Sequence, residues 1–262
     1  MKKILLMMVG IICLTFFTNV SYAVTVDEIV DKANKMAFYQ GKDGKARVEM
    51  TITDNQGRTR MREFTILRLD KEDGGEQKFY VHFKKPADVR NMVFMVWKHI
   101  GSDDDRWLYL PALDLVRRIS ANDERTSFAG SDFLYEDVSG RGIEEDTHEL
   151  IEETDKYYIL NNVPKEKSAV EFASYKVWVD KKNFLPTKIE YYDQGGNKYR
   201  IIEALEVKDI QGYPTVVKSK VSNLKTGGNT VSEFKKVQYD VGLGDDVFTE
   251  RYLRRAPRKW VR

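Results

Sequence analysis

From Lys45 to Thr53 apolar and polar side chains alternate without a break: Ala46, Val48, Met50 and Ile52 on one side, Arg47, Glu49 and Thr51 on the other. A period of two predicts a strand with one buried face. Similar segments follow at short intervals: TRMREFTILRL (59–69), EQKFYVHFK (76–84), NMVFMVWK (91–98) and RWLYL (106–110). The second half adds KYYIL, SYKVWVD, TKIEYYD, KYRIIEALEV, YPTVVKSKVS and TVSEFKKVQYD. Turn residues punctuate them, as in DNQGR (54–58), DKEDGG (70–75), DQGGN (193–197) and KTGGN (225–229), the last two with the glycine that tight hairpins require.

Only the start has a different period. Val26, Ile29, Val30, Ala33 and Met36 fall at helical spacing, and Thr25 with Glu28 forms a capping-box pattern, so one amphipathic helix ending near Gly41 is expected. Brief helical signals return at 127–138 and 249–255. No Pro-, Gly- or Ser-rich linker and no repeat divides the chain. The pattern predicts a mainly β domain (α+β in class) over 24–262, an antiparallel meander of about ten strands behind one helix. An open sheet of that size curls, and a curled sheet has an inside.

Two strands break the alternation. Positions 92–97 are apolar throughout, and so are Trp107, Leu108, Tyr109 and Leu110. Both faces of these strands therefore need a cover. Either the sheet is packed tightly on both sides, or it curves around covering elements and keeps an apolar cavity. Met92 and Met95 fit both arrangements, as gap-fillers or as an adaptable wall.

Composition places the chain in a compartment. Lys2 and Lys3 precede an apolar run (4–17), and Ser21-Tyr22-Ala23 carries small residues where a signal peptidase reads. The expectation is a signal peptide, residues 1–23, cleaved after Ala23, and an exported mature chain. The single cysteine, Cys13, lies in that run, and Ile12 before it is too large for a lipidation site. Mature disulfides and thiol chemistry are therefore excluded. Of 43 Lys and Arg against 41 Asp and Glu, the two leader lysines make the difference. The balanced remainder gives no basic signature for nucleic acid.

RWLYLPALDLVRRIS (106–120) followed by SFAGSDFLYEDV (127–138) resembles the paired signature of the outer-membrane lipoprotein-sorting-like family, relatives of the LolA/LolB periplasmic carriers. The strands from Lys45 onward and DDVFTERYL (245–253) fit the same family. That resemblance implies a LolA-like half-open β-barrel, one curved antiparallel sheet whose concave face is covered by helices. It implies a periplasmic, non-enzymatic carrier of acyl chains of a lipid or lipoprotein, without cofactor. Partners would be an RND-type inner-membrane exporter or an outer-membrane acceptor. Expected wall residues are Phe79, Val81, Phe83, Met92, Phe94, Val96, Trp107 and Tyr109. The lid and rim are expected from Arg117, Arg118, Asp132, Phe133, Tyr135 and Glu136, with acids of 132–137 pairing with Arg117 and Arg118. An interaction or sensor module on the same scaffold is the alternative.

Other chemistry has little support. His82, His99 and His148 lack metal-ligand spacing, FAGSD (128–132) lacks the second glycine of a nucleophile elbow, and no phosphate-cradling loop occurs. Asp103, Asp104 and Asp105 are adjacent rather than alternate, so they read as a solvated turn, not a calcium loop. A hydrolase thus has no nucleophile–base set. The seven acids of 144–155 read as a wet surface. The basic tail from Arg251, with Trp260, suggests either a solvated end or transient contact with an anionic membrane.

Overall fold

The computed structural model describes residues 24–262, so the expected signal peptide lies outside the described residues. Helix α1 (Val26–Phe38) begins with the expected capping box: the Thr25 side chain accepts from the Glu28 amide, and the Glu28 carboxylate accepts from the Thr25 amide.

Thirteen strands follow, all antiparallel to their neighbours in one curved open sheet. The first six form one meander: β1 (Asp43–Thr53), β2 (Thr59–Asp70), β3 (Gln77–Lys85), β4 (Val93–Lys98), β5 (Asp105–Leu110) and β6 (Leu115–Ile119). The other seven form a second: β7 (Asp146–Glu153), β8 (Tyr157–Pro164), β9 (Ser174–Asp180), β10 (Pro186–Tyr192), β11 (Lys198–Ile210), β12 (Tyr213–Asn223) and β13 (Gly228–Tyr239). Pairing of β1 with β13 joins the meanders edge to edge. The free edges are therefore β6 and β7, which are consecutive in the chain. The segment between them, 120–145, crosses the inner face from one rim to the other and acts as a plug.

The plug is less helical than its sequence suggests. Ala129 and Gly130 adopt positive φ (52° and 74°), Ser127 forms an isolated bridge with Leu134, and only α2 (Glu136–Ser139) is α-helical. Its rings pack on the first meander. Phe128 lies 5.6 Å from Phe83 and 5.7 Å from Phe94, centroid to centroid, and Tyr135 lies 4.9 Å from Phe94. α1 covers the second meander, burying Ile29, Val30 and Ala33 against Leu160 and Val179.

On the outer face the chain after β13 folds back over β2–β5. Short helices α3 (Arg251–Arg254) and α4 (Arg258–Val261) belong to this layer. It buries Val247, Phe248, Leu253 and Val261 against Leu67, Tyr80, Val93, Met95 and Trp107. Trp97 Nε1 donates to the Phe248 carbonyl (2.9 Å) and the Tyr80 hydroxyl to the Tyr252 carbonyl (2.7 Å). Asp43 anchors its start, accepting from the amides of Val241, Gly242 and Leu243 at 2.8, 3.0 and 3.1 Å. The all-apolar strands are thus covered on both sides, by the plug inside and the C-terminal layer outside. The tail is packed rather than a free solvated end.

Candidate functional site

Beside the plug lies a cavity of about 360 Å³. Its floor is β1–β3 and β12–β13, and its other walls are the end of α1, the plug, and Leu185 and Pro186 at the start of β10. The inward positions of β1 set its length: Gly44, Ala46, Val48 and Met50 all line it. Ala46 lies opposite Ile66, and Val48 lies between Phe64 and Phe234, so the middle of the floor is apolar. Phe128 and Phe133 of the plug close over the Met50 end. There Ser219 and Ser232 face each other across β12–β13, both buried. At the Gly44 end stand Gln40, Arg68, Thr215 and Tyr239.

The expected wall residues divide into three groups. Phe79 and Val81 line the cavity. Phe83, Met92, Phe94 and Val96 belong to the same apolar cluster but lie outside the lining; Phe128 and Tyr135 fill the space above Phe83 and Phe94. Trp107 and Tyr109 do not share that wall. The β4–β5 register sets Phe94 against Leu108 and Met95 against Trp107, so alternation turns Trp107 and Tyr109 outward beneath the C-terminal layer. Missing from the expected set were Val48, Phe234, Ser219 and Ser232. The alternation of β1 pointed to its apolar side, but the β1–β13 closure that completes the floor joins residues almost 200 positions apart.

The expected rim is also rearranged. Arg117 pairs with Asp123 (3.2 Å), and Arg118 pairs with Asp105 while its guanidinium lies 5.1 Å from the Trp107 ring. Neither reaches the acids of 132–137. Glu136 is instead held by Arg125 and by Arg141 (3.2 Å), and Asp137 by Arg200. Asp132 accepts from Thr230 Oγ1 at 2.7 Å. Phe133 lines the cavity and Tyr135 packs on Phe94. These pairings follow from the plug's path, which carries residues 132–137 away from β6 toward β11 and β13.

The plug is fastened by buried charge. Arg125 lies over Phe172 (4.7 Å) and bonds Glu171 at 2.7 and 2.8 Å. Burial alone would raise the Glu171 carboxyl, but the bonds from Arg125 outweigh it and hold the group at about 2. Glu124 pairs with Arg106 at 2.7 Å, yet burial prevails, helped by Glu136, Glu145 and Asp104, and lifts it to about 7. Lys98 donates to the carbonyls of Ser139 (2.9 Å) and Gly140 (3.0 Å), and burial lowers its pKa. Carboxylate oxygens of Glu124, Glu136 and Glu145 lie within 4.8 Å of one another. Arg106, Arg125 and Arg141 supply the balancing charge there, so the cluster works as a fastening. The histidines stand apart: His82 is buried and its pKa lowered by burial, His99 sits between Glu76 (3.4 Å) and Asp105 (3.3 Å), and His148 bonds Asn162.

One curved sheet with an internal plug and an apolar cavity beside it defines the LolA-like class of half-barrels. A LolA superfamily protein from Nitrosomonas europaea shares the fold, with a TM-score of 0.68 at 20% identity over 88% of this chain and 100% of that one. A family model described as an uncharacterized protein matches residues 75–255. The chain belongs to this family, the DUF1329 family. A DUF1329 family protein from Desulfovibrio piger is 30% identical, with a TM-score of 0.78 over 87% of this chain and 98% of that one. A putative outer membrane lipoprotein-sorting protein domain from Vibrio parahaemolyticus is 29% identical, with a TM-score of 0.78 over 87% and 97%. No curated protein matches the chain.

Proposed function

We propose that the protein carries acyl-bearing cargo, a lipid or the lipid anchor of a lipoprotein, between components of the cell envelope. The observation that carries this reading is the apolar cavity beside the plug. Each methylene moved from water onto such a wall gains about 0.8 kcal/mol, so a long chain is held by several kcal/mol and released without covalent chemistry. The relation to lipoprotein-sorting folds supports the same reading. Within it, the protein works in the periplasm after its leader is cleaved behind Ala23, and no residue acts as a catalyst. Cargo passes to or from an RND-type exporter or an outer-membrane acceptor that binds it more tightly.

Native mass spectrometry of the mature protein purified from its own periplasm, followed by lipid extraction, tests this. A stoichiometric acyl-bearing ligand is expected. Failure to bind any lipid, both as isolated and after incubation with envelope lipids, would overturn carriage and leave the interaction module as the reading to pursue.

A further inference from the structure

Carriage leaves the cargo's chemistry open, and the long axis of the cavity narrows it. From Gly44 to Met50 the lining follows six residue-to-residue steps of extended chain, about 20 Å. Between the ends it is apolar, with Ala46, Val48, Phe64 and Phe234 facing one another across three strands. Its 360 Å³ lies at the low end of the roughly 300–1,000 Å³ that holds one small-molecule ligand. Further apolar wall exists beyond Phe79 and Val81, but Phe128 and Tyr135 occupy it. The plug stands where additional chains would lie.

The Gly44 end is polar. Arg68 is already engaged there: its guanidinium donates to the carbonyls of Phe38, Gln40 and Gly41, and it pairs with Asp70 at 3.3 Å. Tyr239 and Thr215 share a hydrogen bond of 2.9 Å. Gln40 is different. It is only 8% exposed, and its Nε2 donates to the carbonyls of Met36 (2.6 Å) and Pro214 (2.9 Å), which fixes the amide's orientation. Its Oε1 is buried with no hydrogen-bond partner among the described residues. Such an acceptor calls for a donor.

We infer that the cavity takes a single-chain amphiphile, its chain lying along β1 toward Phe128 and its hydroxyl- or amide-bearing head donating to Gln40 Oε1. This inference rests on the carriage reading and sharpens it. Lipids with two or three chains exceed the space beside the plug.

Three probes separate the parts: monooleoylglycerol (one chain, donor head), methyl oleate (one chain, no donor) and dioleoylphosphatidylglycerol (two chains). Titration of the mature wild-type protein should show one equivalent of monooleoylglycerol bound at least tenfold more tightly than the two-chain lipid. It should also bind about fivefold more tightly than methyl oleate, the worth of one hydrogen bond. In Gln40→Met that second ratio should fall to about one, whatever the variant does to overall affinity. Equal or tighter binding of the two-chain lipid overturns the single-chain assignment while carriage stands. An unchanged ratio in the variant, or no preference over methyl oleate in the wild type, overturns the head assignment. Binding of none of the three overturns carriage and this inference together. The wild-type comparisons decide the matter even if Gln40→Met does not fold.

Discussion

At the scale of single residues, close approach and buried charge make the sharpest demands. Gly140 has φ 76°, and a Cβ there would lie 2.5 Å from the Phe38 ring, which itself lines the cavity. Gly140→Ala should therefore destabilise the protein by roughly 1–3 kcal/mol and displace Phe38; a urea titration and the affinity for a single-chain lipid would register both. Glu124 gives a pH signature. Its carboxyl is raised by burial from 4.5 to about 7, so the folded chain holds a proton that the unfolded chain has released. Its stabilising contribution is fully present below about pH 4.5 and is lost as pH rises through about 7. Glu124→Gln should therefore gain stability relative to wild type between pH 5 and pH 8. A urea-midpoint difference that stays constant across that range would refute the assignment. Glu171 runs the other way. Held at about 2 by Arg125, it contributes stability above about pH 4.5 that disappears as pH falls toward 2.

At the scale of elements, the sequence was readable wherever a local period decided the outcome. The capping box of α1, the alternation of β1 and the turns at 54–58, 70–75, 193–197 and 225–229 all depend on near neighbours. β6 was hidden because Leu115, Val116, Arg117 and Arg118 are not fully buried on either side, and an edge strand need not alternate. In the plug, a residue pattern suited to a helix yields to ring packing on Phe83 and Phe94 and to ion pairs with distant strands. Only tertiary contact could reveal that. The plug's hold is measurable. Phe128 touches Phe64, Phe83, Phe94 and Tyr135, so Phe128→Ala should cost about 3–5 kcal/mol and enlarge the cavity. If the plug is what limits the site to one chain, this variant should bind two-chain lipids better than the wild type does. The C-terminal layer offers a parallel test. Trp107→Asp places a carboxylate under Phe248 and Leu253 and should loosen that layer, seen as faster proteolysis after Arg251 or Arg254, while lipid affinity stays within about twofold. Loss of binding in a folded Trp107→Asp protein would return Trp107 to the cavity wall.

At the scale of the whole molecule, the two meanders are clasped reciprocally. α1, encoded first, packs on β7 and β10 of the second meander, whereas α3 and α4, encoded last, pack on β2, β4 and β5 of the first. The floor of the cavity is likewise shared, through β1 and β13. The half-barrel and its plug were foreseeable from resemblance, but the strand face and the shared floor were not. Register over nearly two hundred residues decides them, and a local pattern carries no trace of it. The reciprocal clasp bears on how the chain comes to fold. The first meander cannot complete its own apolar packing until residues 247–261 arrive, and α1 has nothing to cover until the second meander exists. Such a fold cannot mature piece by piece from its leading end; it closes only once both meanders and the residues after them are present in one compartment. Separately produced halves, cut within the plug, should remain incomplete alone and acquire slow amide exchange in β3 and β4 only when mixed.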